Sequence, residues 1–330
     1  MKYIAIILLL ALLVAGAAYY IVLTPYGPTS ETFVEVAPGS STHAIAIQLA
    51  RTGIIRTQYA FAAIRTYREF KGTSGTLKAG EYRFDHPATP EEIYNRLLRG
   101  DVYTKALTIP EGYNIFDIAQ AVEAAGFTSR ADFLAAERTN TALISDLNPA
   151  ATSLEGYLFP DTYHFSRHAT PLQILTAMTR RFRQTANQLG LHVGTPRIVL
   201  MASLIEKEVS QDSERPLVAG VFANRLAKGI PLATDPTVIY AALLEDRWRG
   251  TIYASDLANP SPYNTYRHTG LPPGPICNPG VAALKAAINP AQTDYLYFVA
   301  DANGHSRFST TLKEHNTNVQ AYRNTVKAQH

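Results

Sequence analysis

The densest cluster of carboxylates in this chain is Glu206-Lys207-Glu208, followed by Glu214-Arg215 and then by Asp235. A helix over 198–209 would carry Ile198, Met201, Ala202, Ile205 and Val209 as a buried stripe at about 100° per residue. Glu206 and Glu208 then lie on opposite borders of that stripe. A glutamate set against apolar neighbours loses solvation, so its carboxyl holds a proton to higher pH, as a general acid needs. Two border glutamates on a helix are more commonly solvated or ion-paired, and periodicity does not choose between Glu206 and Glu208.

Other chemistries lack their residues. There is no G-x-S-x-G elbow and no S-x-x-K, so the local signatures of serine hydrolases and penicillin-binding enzymes are missing. No Walker loop or G-x-G-x-x-G occurs. His164 and His168 are four apart, but they fall at the end of an expected strand, where that spacing does not converge on a metal. Cys277 is the single cysteine, which leaves no intrachain disulfide and no Cys-based zinc site. Neither a metal nor a cofactor is expected. Lys plus Arg number 30 and Asp plus Glu 27, a net charge of +3, and no dense basic run forms the stripe that nucleic acid requires. The 19 tyrosines suit stacking on sugars, although core packing is their commoner use.

The elements that must position these groups follow from patterning. With 330 residues, 46% hydrophobic and 17% charged, the chain can fill about two ordinary domains. Residues 3–23 carry no charge and are long enough to span a bilayer as a helix. Small residues at Ala15-Gly16-Ala17-Ala18 would suit a cleaved signal peptide. The apolar run continues past them through Leu23, which favours a retained anchor. Lys2 flanks one side and no Lys or Arg follows until Arg51, so residues 1–3 are expected in the cytoplasm and the body outside. Residues 24–30 read as a short stiff linker.

The body contains an internal duplication. At a shift of 73, Val36 meets Ile109, Gly39 meets Gly112, Ile45 meets Ile118 and Gly53 meets Gly126. At a shift of 81, Tyr82 and Phe84 meet Tyr163 and Phe165, and Ala88-Thr89-Pro90 meets Ala169-Thr170-Pro171. Two units of strand–helix–helix–strand–helix are expected near 32–100 and 105–183, with about eight extra residues before Asp161 in the second. Beyond residue 196, helices are expected over 198–209, 214–227 and 232–244. A long loop over 250–280, rich in Pro, Asn, Tyr and Gly, favours a binding or catalytic role. A short helix over 281–288, a hairpin of 294–300 with 305–309 turning at Asn303-Gly304, and a polar final helix complete the chain.

Several strings stand in a distinctive order: Glu155-Gly-Tyr-Leu-Phe-Pro-Asp-Thr-Tyr163, Met201-Ala-Ser-Leu-Ile-Glu-Lys-Glu208, Ser213-Glu-Arg215, Val221-Phe-Ala-Asn-Arg225, Thr234-Asp-Pro-Thr-Val-Ile-Tyr240, Tyr263-Asn-Thr-Tyr266, Gly270-Leu-Pro-Pro-Gly274, Tyr295-Leu-Tyr-Phe-Val-Ala300 and His315-Asn316. Behind one N-terminal anchor, this order closely resembles the endolytic murein transglycosylase family, also called YceG-like, over essentially the whole chain. The resemblance implies an α+β fold. A transmembrane helix (4–23) precedes a LysM-like βααβ module (31–106) and a mixed α+β catalytic domain (107–330). In that domain 107–195 is the second repeat-like unit and 196–330 the catalytic core. It implies Glu206 as the catalytic acid and base, and Glu155, Glu214, Asp235, Thr237, Tyr263, Asn264, Thr265 and Tyr266 as substrate-binding residues.

The implied substrate is the peptidoglycan glycan strand, cut between N-acetylmuramic acid and N-acetylglucosamine with formation of a 1,6-anhydro end. The implied location is the outer face of the cytoplasmic membrane. A penicillin-binding protein or another cell-wall synthase is the class of protein partner. A non-catalytic glycan-binding scaffold and a muramidase that hydrolyses the same bond are the alternatives.

Overall fold

A computed structural model describes residues 2–192, 195–209, 211–301 and 304–329. The chain forms two compact units, Met1–Lys105 and Ala106–His330.

The first unit opens with α1 (Lys2–Leu23), whose segment Tyr3–Leu23 is long and apolar enough to cross a membrane. Next come β1 (Thr32–Val36), α2 (Thr42–Arg51), α3 (Gln58–Phe70), β2 (Gly80–Phe84) and α4 (Pro90–Arg99). β1 and β2 pair antiparallel with Val34 opposite Tyr82. Alternation along both strands turns Val34, Val36, Tyr82 and Phe84 onto a core shared with Ile45, Leu49, Phe61, Ile93 and Leu97. The three helices after α1 each start where a side chain satisfies free N–H groups: Ser41 for α2, Thr57 for α3, and for α4 a full capping box of Thr89 and Glu92 with Pro90 in the first turn. Gly100 ends α4 at φ 79, a left-handed turn that suits glycine.

The second unit begins with the same element order: β3 (Lys105–Thr108), α5 (Ile115–Ala124), α6 (Arg130–Thr139), β4 (Thr162–Phe165) and α7 (Pro171–Gln188). β3 pairs with β4. The Thr-Pro start of α4 recurs in α7, with Thr170 and Gln173 as the capping box. The extra residues of this stretch form a 3₁₀ turn (Thr141–Ile144) and the loop that leads to Asp161.

The remainder is α8 (Thr195–Glu208), α9 (Arg215–Ala227), α10 (Asp235–Leu244), a short α11 (Ala254–Leu257), α12 (Val281–Ile288), the hairpin β5 (Tyr297–Ala300) and β6 (Ser306–Ser309), and α13 (Leu312–Gln329). β5 and β6 pair antiparallel, with Phe298 opposite Phe308. The expected turn includes Asn303, which lies outside the described residues. β5 begins at Tyr297 rather than 294 because nearby carbonyls go elsewhere. Those of Thr293 and Tyr295 accept from the Asn224 amide, and that of Leu296 from the Arg225 guanidinium.

α8 is the central helix. It packs against α9, α10 and α12, and every residue from Val199 to Ile205 is buried. The one-sided stripe expected for 198–209 is therefore replaced by a helix enclosed all round, with its two glutamates at the emerging end.

Candidate active site

Glu206 and Glu208 sit about 200° apart around α8, so they face different neighbours. The Glu206 side chain is only 5% exposed, as is that of Arg215, and their charged atoms stand 2.9 Å apart. This is an ion pair rather than an aligned hydrogen bond, since the Arg215 Nη1 hydrogens point elsewhere. The other Glu206 oxygen accepts from the Gly280 N–H at 2.9 Å. The Glu111 carboxylate packs directly against Gly280, where a Cβ would have to displace it. Burial, then the Glu206 charge, pushes the Glu111 carboxyl above its ordinary value. The apolar border expected around Glu206 is thus replaced by a charged network that ties α8 to α9 and to the start of α12. A cavity of about 840 Å³ opens beside that network, between Glu111, Asp212 and Lys285, but Glu206 does not line it.

Glu208 has a different setting. It lines a cleft of about 390 Å³ with Arg225, Asp235, Tyr266, Tyr297 and His315. Among the described residues its carboxylate has no hydrogen-bond partner. Burial, then the like charge of Asp235, pushes its pKa up to about 7, against a smaller opposing effect of Arg225. The cleft walls are fixed. Arg225 donates to the carbonyls of Leu296 (2.6 Å) and Leu232 (2.7 Å) and lies over the Tyr297 ring. Tyr297 stacks on His315 at 5.3 Å. Burial, then the Arg225 charge, holds the His315 imidazole below its ordinary value, and its buried Nδ1 has no hydrogen-bond partner among the described residues. The Tyr266 hydroxyl donates to Asp235 Oδ1 at 2.7 Å across the cleft mouth.

The residues expected to bind substrate separate into three groups. Asp235 and Tyr266 line the cleft with Glu208. Thr237, Asn264 and Thr265 are buried and hold the cleft loops in place. The Asn264 amide donates to the carbonyls of Asp256, Leu257 and Asn259, and its oxygen accepts from the Tyr266 N–H. The Thr265 hydroxyl accepts from the Thr234 N–H and meets that of Thr237 at 2.9 Å. Thr265 O also accepts from Ala233, whose φ of 50 puts a non-glycine residue in the left-handed region at the cleft wall.

Glu155, Glu214 and Tyr263 stand apart from the cleft. Glu155 is buried and accepts from the Ile115 N–H (2.9 Å) and the Asn278 amide (2.8 Å), with burial raising its pKa to about 8. Glu214 is buried at the start of α9. Burial alone would raise its pKa, but hydrogen bonds from Ser306 and His305 hold the carboxyl below its ordinary value. It thereby ties α9 to β6. The Tyr263 ring packs 5.2 Å from that of Tyr240.

Arg225, Tyr297 and His315 belong to the sequence strings, but the residue types alone did not mark them as cleft residues. They come together only because β5 packs on α9 and α13 packs on β5.

A model of the YceG-like family matches residues 34–321. A Bacillus subtilis protein named endolytic murein transglycosylase is 36% identical over 339 residues, spanning 94% of this chain and 91% of that protein. A Streptococcus pneumoniae protein of the same name is 31% identical over 370 residues, spanning 97% of this chain and 65% of that protein. The crystal structure of a yceG-like protein from Listeria monocytogenes superposes with a TM-score of 0.56 at 33% identity, covering 88% of this chain and 99% of that one. Together with the ordered motif strings around α8 and its cleft, these matches mean that the chain belongs to the YceG-like family.

Proposed function

We propose that this protein is an endolytic lytic transglycosylase of peptidoglycan, and that Glu208, rather than Glu206, is its acid and base. The observation that carries the assignment is the unpartnered Glu208 carboxyl in the cleft, with burial raising its pKa to about 7. Glu206, in contrast, is held by Arg215 and the Gly280 N–H. The names of the relatives supply the substrate class.

In this reading protonated Glu208 donates to the glycosidic oxygen between N-acetylmuramic acid and N-acetylglucosamine. The C1–O bond breaks as positive charge develops on the muramic ring. The resulting carboxylate takes the proton of the muramic 6-hydroxyl, whose oxygen bonds to C1. The products are a 1,6-anhydromuramic end and a free 4-hydroxyl, with no water consumed. Glu208 ends protonated, as it began. Asp235 is placed to offset the developing charge, and the exposed Tyr266 ring offers a face for a sugar.

The first unit fits a LysM-like glycan-binding module, because its β1–α2–α3–β2 order is the βααβ plan. α1 fits a single membrane span that leaves the body on the outer face, where a cell-wall synthase would supply nascent strands. Mass spectrometry of digested peptidoglycan tests the activity. Anhydro ends are expected. New reducing ends would make the protein a muramidase, and an unchanged polymer would make it a scaffold.

A further inference from the structure

The exposed face of α3 is unusual for a water-facing helix. Ala60, Phe61 and Ile64 face the core. Opposite them, Tyr59, Ala62, Ala63, Thr66, Tyr67 and Phe70 lie within about 140° of one another at 100° per residue. Phe70 is 90% exposed, Tyr59 74% and Tyr67 51%. Scattered single apolar residues on a surface are ordinary, but three aromatic rings on one helical face are a patch.

Two further observations say what covers it. Arg56, two residues before α3, donates to the carbonyls of Tyr20 (3.2 Å), Thr24 (3.0 Å) and Pro25 (3.3 Å), and its guanidinium lies 4.2 Å over the Tyr20 ring. The start of α3 is therefore fastened to the C-terminal end of α1, whose last turn, through Val22, also meets the core of this unit. If α1 spans the bilayer, that end marks the membrane–water boundary. The stretch leans positive, with six Lys or Arg and one Glu over residues 51–78. Arg65 pairs with Glu69 and Arg68 with Glu91, while Lys71 lies 4.7 Å over the Tyr67 ring at the edge of the patch. An aromatic face with a lysine at its edge, fastened to the end of a membrane helix, matches the pattern of a helix lying in the lipid interface.

We propose that α3 lies on the membrane surface, with Tyr59, Tyr67 and Phe70 in the headgroup region of an anionic phospholipid leaflet. The helix then adds a contact with the bilayer surface to the fastening that Arg56 makes with the end of α1. This proposal rests on α1 being a membrane span.

The test uses the full chain with Phe70→Cys carrying an environment-sensitive fluorophore, reconstituted into phosphatidylglycerol-containing vesicles. Cys277 is buried and does not compete for the label. Phe70 is too exposed for its loss to unfold the unit. A label on an interfacial helix sits about 5–10 Å into the boundary. Lipids brominated high on their acyl chains should then roughly halve its emission, and aqueous iodide should quench it poorly. Flotation with the vesicles reads the α1 span separately. A chain that floats while its label is open to iodide and untouched by bromolipid overturns the α3 proposal and leaves the span standing. Shielding from iodide without bromolipid quenching marks a protein partner and also overturns it. A chain that does not float removes the span, and the proposal with it.

Discussion

Replacing Glu208 with Gln keeps the size of the side chain and removes its transferable proton. With a pKa of about 7, close to half of the Glu208 carboxyls are protonated at pH 7. At the ordinary value of 4.5 the protonated share would be about one in 300. Burial in the cleft and the Asp235 charge thus multiply the acid form on the order of a hundredfold. General acid–base catalysis is worth about 10²–10⁴-fold, so Glu208→Gln should lose that much turnover while glycan binding stays near normal. The assay is the rate of release of anhydro-ended fragments from purified glycan strands, with pull-down on insoluble peptidoglycan reporting binding. Because the group must start protonated, activity in the parent should fall as pH rises above about 7. Asp235→Asn removes the like charge and should move that falling limb to lower pH. If Glu208→Gln forms anhydro ends at nearly the parent rate while Glu206→Gln does not, the argument from burial and free access is wrong and the role returns to Glu206.

Glu206→Gln should act on stability instead. It leaves Arg215 buried, with Asp212 at 3.0 Å and the more distant Glu111 as anionic neighbours. Breaking a buried pair costs about 3–5 kcal/mol when nothing replaces it, and Asp212 should reduce that to about 2–3 kcal/mol, read as a lower midpoint in urea unfolding. Glu155 should make stability pH-dependent. Its folded-state pKa of about 8 lies above its ordinary 4.5, so its contribution is full below 4.5 and is lost as pH rises toward 8. Glu155→Gln should flatten that slope in denaturant titrations across the range. Asn264→Ala takes the side-chain donor from the Leu257 and Asn259 carbonyls and the acceptor from the Tyr266 N–H, at a cost of about 1–3 kcal/mol, and loosens the loop that carries Tyr266 into the cleft. Its turnover should fall even where circular dichroism shows a folded chain. Superposing 32–100 on 105–183 should align α4 with α7 at their capping boxes, and a different strand order in the two stretches would argue against a duplication.

Much of the local structure is legible in the sequence because it depends on neighbours in the chain. The uncharged run to Leu23 marks α1. Thr89-Pro90 with Glu92, and Thr170-Pro171 with Gln173, mark the starts of α4 and α7, since a cap needs only the next three residues. The order of the motif strings points to the YceG-like family that the relatives and the fold support. The division of labour within those strings is not local. Glu155 finds Asn278 across 123 residues, and Glu214 finds Ser306 across 92, so a string cannot reveal whether its carboxylate holds the fold or faces the cleft. The choice between Glu206 and Glu208 has the same origin. Periodicity separates an inner from an outer face, whereas α8 is enclosed by α9, α10 and α12 and has no outer face between Val199 and Ile205. Only the packed structure sets Arg215 and Gly280 against one glutamate and an open polar cleft against the other.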